Sequence, residues 1–374
     1  MDLLTRVFNR TIDTLQLGFA ALFDLPLSLI VPALFGTLCF GLLVFAGFTR
    51  LLKLKIPGGV YTFVMLFTAM VMVLLLVDRR LHQLSVEVAA AQSAAMAIPV
   101  LPSGSGPTRY LFPKATVDQG LPAILGEYTL GVEPQDAAID FVSIRATSPE
   151  VRQLYLAIAD LTAPGLTIHI TPSFDRKTLV SDFARSTDSV VAINGEAGRT
   201  AGRDAELGQW TGNWIVRGEP VLLEDTDKRP FLSFDVDNRP TYSPAARVDR
   251  ELTPEKYNTL WGRYDLLVDG EVAISESYER THPYPRTIMG VDEHGTRLYL
   301  LVADGKRPGH SVGLGLEDAA NILRLFGAHD AMKCDQGGSS CMYLRSRDSI
   351  VNRPADRIER RVYTHFGVSV AAVD

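Results

Sequence analysis

The chain has 374 residues, a formal net charge of −6 and a hydrophobic fraction of 47%. A negative balance removes the electrostatic footprint needed for nonspecific nucleic-acid binding. No zinc-like Cys/His spacing and no Walker-type glycine loop is present, and the length fits one large domain or two ordinary ones.

The apolar residues crowd the N-terminus. Residues 1–24 carry Leu3, Leu4, Val7, Phe8, Ile12 and Leu15 at helical spacing, as a helix along a membrane surface or an extension of the span that follows would. Leu25 to Phe48 and Pro57 to Val77 are free of charge, and each is long enough to cross a bilayer core of about 30 Å. Arg50, Lys53 and Lys55 lie between them with no acid, which predicts a cytoplasmic loop and places the rest of the chain outside the cytoplasm. Arg79 and Arg80, just after the second span, pull against that orientation. A cleaved signal peptide fits less well, because two spans precede any Ala-rich cleavage-like site. Residues 84–98 are Ala-rich and read as a helix, and Pro99 to Pro107 reads as a flexible spacer. A second domain is therefore expected over 109–374, after a two-helix transmembrane hairpin.

From about residue 120 the pattern changes to short strands with turn punctuation. Phe141–Arg145 and Leu166–Ile170 alternate, Lys177–Arg185 reads as a helix, and Ser189–Ile193 is a continuous apolar run. Asn213–Arg217 and Glu219–Leu223 flank Gly218 as a hairpin. Leu266–Val268 and Glu271–Ile274 flank Asp269-Gly270, a pair suited to a type I′ turn. Arg286–Val291, Arg297–Val302 and Val362–Val370 are further strands. Leu316–Phe326 reads as a helix with acids in its first turn and Gly327 at its end. The expected fold class is α+β, with a mixed, mostly antiparallel sheet and a few helices.

Several of these elements end in polar turns that expose backbone. They are Asn194-Gly195-Glu196, Pro285-Arg286-Thr287, Asp304-Gly305-Lys306-Arg307, His310-Ser311-Val312-Gly313, Asp335-Gln336-Gly337-Gly338-Ser339-Ser340 and Asn352-Arg353-Pro354. Any one alone is a common turn. In this order, over roughly 120–372, they resemble the phosphodiester glycosidase family. That family's pattern is Asn-Gly after an apolar strand, Pro-Arg-Thr-x-x-Gly, Asp-Gly-Arg, Ser-x-Gly, a helix, Asp-Gly-Gly-Gly-Ser-Ser and Asn-x-Pro. This chain departs from it in three places. Gln336 replaces a glycine, Glu196-Ala197 stands where a glycine and an aromatic are usual, and Lys306 intervenes before Arg307.

The resemblance implies hydrolysis of a sugar 1-phosphodiester, which requires a stabilised oxocarbenium ion and a held phosphate. The leaving phosphomonoester needs little protonation, so a carboxylate matters more than a strong acid. Asp304 and Asp335 are the first catalytic candidates and Glu196 the third. Arg286, Arg307 and Arg353 are candidates to grip phosphate oxygens, with the amides of Gly337 and Gly338 beside them. Asn194 and Gly195 are candidates to orient a sugar hydroxyl or water, and Ser311 and Ser339 complete the substrate-binding set. His310 and Ser311 are sequence neighbours and are not expected to form a triad. Asn352 reads as a turn former.

Cys334 and Cys341 bracket the Asp335 turn and outside the cytoplasm are either a disulfide or two buried thiols. Asp304 and Asp335 with backbone oxygens are a candidate calcium or magnesium site, although no dedicated loop for either ion is present. The expected partners are a carbohydrate or glycosyl phosphate and the lipid bilayer of the inner (plasma) membrane. Two other functions use the same cleft: a glycan-binding or assembly protein without chemistry, and a hydrolase of non-phosphorylated glycosides.

Overall fold

The computed structural model describes residues 110–197, 212–223, 229–247 and 253–371. Both expected spans, the N-terminal segment and the Pro/Ser/Gly spacer lie outside the described residues. Among the described residues no helix is long and apolar enough to cross a membrane.

The largest sheet has eight strands. They are β1 (Glu127–Asp136), β2 (Ile139–Ser148), β3 (Arg152–Asp160), β11 (Tyr264–Val268), β12 (Glu271–Val272), β13 (Arg286–Val291), β14 (Arg297–Ala303) and β15 (Asp330–Lys333), in the order β1-β2-β3-β14-β13-β15-β11-β12. A second sheet orders β17 (Ser349–Ile350), β16 (Met342–Leu344), β5 (Val191–Asn194), β18 (His365–Val370) and β4 (Leu166–Ile170). A third orders β7 (Glu219–Leu222), β6 (Trp214–Val216), β10 (Asn258–Trp261), β8 (Phe231–Phe234) and β9 (Pro240–Ser243). The expected mixed sheet is thus corrected: the described strands form three sheets, and their pairings are antiparallel.

The helices are α1 (Lys114–Leu125), α2 (Val180–Ser186), α3 (Ser277–Thr281) and α4 (Leu316–Phe326). α4 has Glu317 and Asp318 in its first turn and ends on Gly327 at φ 108°, a left-handed cap that glycine adopts without steric cost. The hairpin at Asp269-Gly270 has both residues at positive φ, 53° and 78°, as a type I′ turn demands. The helix expected over Lys177–Arg185 begins three residues later, at Val180.

β14 shows why its run is apolar throughout. Leu298, Leu300 and Val302 face a core shared with the two smaller sheets. Tyr299, Leu301 and Ala303 face a second core built from α1 and α4. A strand covered on both faces has no solvent side and so loses the usual alternation. The central strands are therefore rigid, and the turns at their ends inherit fixed positions.

Cys334 and Cys341 are both free and buried, which corrects the disulfide alternative. Cys334 packs in the core between the sheets, whereas Cys341 packs in a separate cluster with Val180, Phe183 and Ala184 of α2. The chain leaves the eight-stranded sheet at β15 and enters a five-stranded one at β16. The two side chains serve different cores instead of facing each other.

Candidate active site

The turns singled out in the sequence converge. Asp335 N–H donates to Gly195 O at 3.2 Å, joining the end of β15 to the end of β5. Gly337 N–H donates to Pro285 O at 3.2 Å, and Cys334 N–H to Thr287 O at 2.8 Å. A Cβ on Gly305 would lie 2.7 Å from Pro285 N and 2.9 Å from Gly313 Cα, so only glycine lets these turns approach. At Gly338 a Cβ would lie 2.3 Å from the Asp356 carboxylate, a side-chain end that would have to turn aside.

Asp304 is 1% exposed. Its Oδ1 accepts from Asn352 Nδ2 at 3.0 Å and Arg353 N–H at 2.9 Å, and its Oδ2 lies 2.7 Å from His310 Nε2 and 3.0 Å from Arg353 N. Ser311 Oγ donates to the Asp304 backbone oxygen at 2.7 Å and accepts from Gln153 N–H. These contacts occupy the carboxylate from several sides. Both oxygens of Asp304 are thus engaged within the protein, which holds the His310 ring and the Arg353 turn in place. Among the described residues no group of three His, Cys, Asp or Glu side chains converges as a metal cluster would. Ser311 belongs to the same buried lock, and Asn352 contributes to it beyond its turn.

Arg286 is likewise an internal brace. Its Nε donates to Leu314 O at 3.0 Å, Nη1 to Glu279 Oε2 at 2.5 Å and to Gln336 Oε1, and Nη2 to His282 O at 3.0 Å and Glu279 O at 3.5 Å. All five guanidinium protons are engaged within the protein, which corrects its assignment as a phosphate clamp. Gln336 Nε2 donates to Glu279 Oε1 at 3.2 Å, so this departure from the family pattern completes the Arg286–Glu279 pair. Burial opposes the charged form of Glu279, but Lys333 and Arg286 outweigh it and hold its pKa below the ordinary value. Truncating one member of a buried pair strands the other charge. Glu279→Ala is expected to lower unfolding free energy by about 3 kcal/mol or more in a chemical denaturation curve.

Asn194 also serves the scaffold. Its Oδ1 accepts from Thr287 Oγ1 at 2.7 Å and Cys341 N–H at 3.0 Å, and its Nδ2 donates to the carbonyls of Gly195 and Asp335. It knits β5, β13, the Asp335 turn and the approach to β16, and this replaces its expected role toward sugar or water. Gly195 supplies the carbonyl that anchors Asp335, the Gly337 amide is engaged by Pro285, and Ser339 Oγ accepts from Arg360 at 3.2 Å.

Two carboxylates remain. Asp335 is partly exposed, and its side chain makes no hydrogen bond or ion pair to a described residue. Glu196 is 1% exposed, its Oε2 is buried without a hydrogen-bond partner, and its Oε1 lies 3.8 Å from Arg263 Nη1. Burial pushes the Glu196 carboxyl up to about 8, with Asp335 pushing the same way and Lys333, Arg263 and Arg229 pulling against it. Lys333, 2% exposed at the end of β15, faces Glu196, Glu279 and Asp335, yet burial holds its ammonium below the ordinary lysine value. On the other flank, burial lowers the Arg307 pKa, Asp304 pulls against that, and Arg357 and Arg353 add as like charges; Arg307 Nη1 donates to Pro354 O at 3.2 Å.

Sequence reasoning missed Glu279, Lys333, Arg263 and Arg357. Lys333 carried a signal, being a cation directly after the apolar pair Ala331-Met332. Glu279 and Arg263 sit in segments that read as ordinary polar surface.

Residues 187–369 match the family model described as phosphodiester glycosidase. This part of the chain, just under half of it, resembles the phosphodiester glycosidase family. The match begins after α2, covers every turn described above, and is shorter than the 120–372 expected from the motifs. No curated protein matches the chain.

Among solved structures, a hypothetical protein from Synechocystis is similar at a TM-score of 0.52 and 14% identity, covering 65% of this chain and 64% of its own. This chain thus spans under two thirds of that protein, and the likeness is one of fold. The zebrafish N-acetylglucosamine-1-phosphodiester alpha-N-acetylglucosaminidase catalytic domain, auto-inhibited by its pro-peptide, gives a TM-score of 0.48 and 20% identity over 71% of this chain and 95% of that one. A putative exported protein from Burkholderia pseudomallei gives 0.47 and 11% over 65% and 96%. The family model leaves residues 1–186 of the chain uncovered.

Proposed function

We propose that this protein is a membrane-anchored hydrolase whose phosphodiester glycosidase domain faces outside the cytoplasm. It cleaves the sugar C1–O bond of a glycosyl phosphodiester or related linkage in an envelope polysaccharide or glycoconjugate. The observation that carries the reading is Asp335, a partly exposed carboxylate with no hydrogen bond or ion pair to a described residue, at the acid-and-glycine turn inside the matched region. Most other polar groups of the motifs are engaged in holding that turn still. An oxocarbenium ion needs a fixed negative charge, and a preorganised one costs no reorganisation during reaction. The cluster of Arg307, Arg353 and Arg357 is the electropositive flank suited to a phosphate. The two apolar segments and the basic loop between them support the anchoring and orientation.

The test is turnover of aryl esters of a panel of hexose and N-acetylhexosamine 1-phosphates by the full chain. Arg307→Ala is expected to raise KM on the ester that is cleaved by about tenfold, the scale of one lost charge-assisted contact. A KM unchanged by that substitution contradicts phosphate binding on this flank.

A further inference from the structure

We infer that Glu196 is a general acid, and that the site therefore also hydrolyses glycosides whose leaving group is a sugar or alkyl alkoxide. The inference rests on the hydrolytic reading above and extends its substrate class. A phosphomonoester departs as a stable anion and needs no proton. An alkoxide does not leave at neutral pH unless the glycosidic oxygen is protonated as the bond breaks. A site serving phosphodiesters alone has no use for a protonated carboxyl.

Such a carboxyl is nevertheless built in. The Gly195 carbonyl takes the Asp335 amide at 3.2 Å, so Glu196 and Asp335 follow and include the two ends of one backbone hydrogen bond. Thr364 Oγ1 fixes the Glu196 carbonyl at 2.5 Å, and Gly195 N–H is held by Thr364 O at 2.8 Å. The backbone under Glu196 is thus held on both sides. Its side chain, by contrast, leaves Oε2 buried and unpartnered. A buried polar atom without a partner costs about 1–3 kcal/mol, and the hydrogen-bonding atom of a bound substrate would fill that place.

The groups that face it are Asp335, Lys333 and Cys334 from the end of β15, Arg263 from the turn before β11, and Arg229 from the segment before β8. The cations do not offset the burial and the Asp335 charge, so the Glu196 proton is retained up to about pH 8. A buried carboxyl that keeps its proton beside a second, partly exposed carboxyl matches the usual arrangement of a glycosidic acid and its partner.

The step balances. Glu196 gives its proton to the glycosidic oxygen while the C1–O bond breaks, and the aglycone leaves as a neutral alcohol. Asp335 meets the positive charge at C1. Water adds to C1, and its surplus proton returns to Glu196.

The experiment compares, for whichever sugar ester the wild type cleaves, that aryl phosphodiester with the methyl glycoside of the same sugar. Wild type is expected to cleave both. Glu196→Gln is expected to slow the methyl glycoside at least 100-fold more than the phosphodiester. In the wild type, kcat/KM on the methyl glycoside falls as pH rises through about 8, and the phosphodiester profile lacks that limb. Cleavage of the phosphodiester without the methyl glycoside overturns this inference alone, as does an equal slowing of both in Glu196→Gln. Cleavage of neither overturns the hydrolytic reading and this inference with it.

Discussion

Asp335→Asn is expected to abolish hydrolysis, lowering kcat by about 1,000-fold or more, while the thermal midpoint stays within a degree or two of wild type. A thousandfold is about 4 kcal/mol of transition-state stabilisation, the scale of one charge aimed at the developing positive centre. The fold should tolerate the change, because the side chain is partly exposed and holds no described neighbour. The backbone of residue 335, which does bind Gly195 and Asn194, keeps its contacts in the variant. Unchanged turnover would show that the charge at position 335 does no chemistry. Asp304→Asn serves as the contrast. It leaves a buried amide where a carboxylate accepts from Asn352, Arg353 and His310, so its damage appears first in the denaturation curve.

The second large effect is on stability, and it runs opposite to that of an ordinary carboxylate. Burial raises the folded pKa of Glu196 to about 8 from a reference of 4.5. Between those values the folded protein binds a proton that the unfolded chain has released, so raising the pH favours unfolding. The contribution is fully present below about pH 4.5, declines as pH rises and is lost above about pH 8. At 1.36 kcal/mol per unit the full span is roughly 5 kcal/mol. Glu196→Gln carries no titrating proton and is expected to flatten that decline, with the variant more stable than wild type above pH 8. Urea unfolding at pH 6 and pH 9 reads the difference directly. Equal pH dependence in the two proteins would place the titration elsewhere.

The order of turns was legible in the sequence because each rests on local chemistry. Asp269-Gly270 makes its turn from its own backbone preferences, and Gly327 ends its helix for the same reason. The apolar run before Asn194 and the run before Asp304 likewise marked buried strands. What each polar side chain does was not legible. Arg286, Asn194 and Asp304 look like ligand-binding groups when read along the chain, since nothing local satisfies them. Their partners come from residues such as Glu279, Leu314, Cys341 and Asn352, brought in by other elements. Satisfaction is a tertiary property, so a sequence overstates the number of free polar groups.

The same reasoning applies to the cysteines. Spacing of Cys334 and Cys341 around a tight turn allowed a bridge, but the turn links two different sheets, and each thiol packs into its own core. Conversely, Glu196 stands behind Asp304 and Asp335 when the sequence is read alone. Its burial and its unpartnered oxygen raise it beside Asp335.

The central claim is that hydrolysis occurs at the sugar carbon, assisted by Asp335. The direct measurement is cleavage of the aryl sugar-1-phosphate ester in ¹⁸O-labelled water, followed by mass analysis of both products. The account predicts label on the sugar C1 hydroxyl, an unlabelled phosphomonoester, and loss of both products in Asp335→Asn. Label in the phosphomonoester would mean attack at phosphorus and would contradict the account.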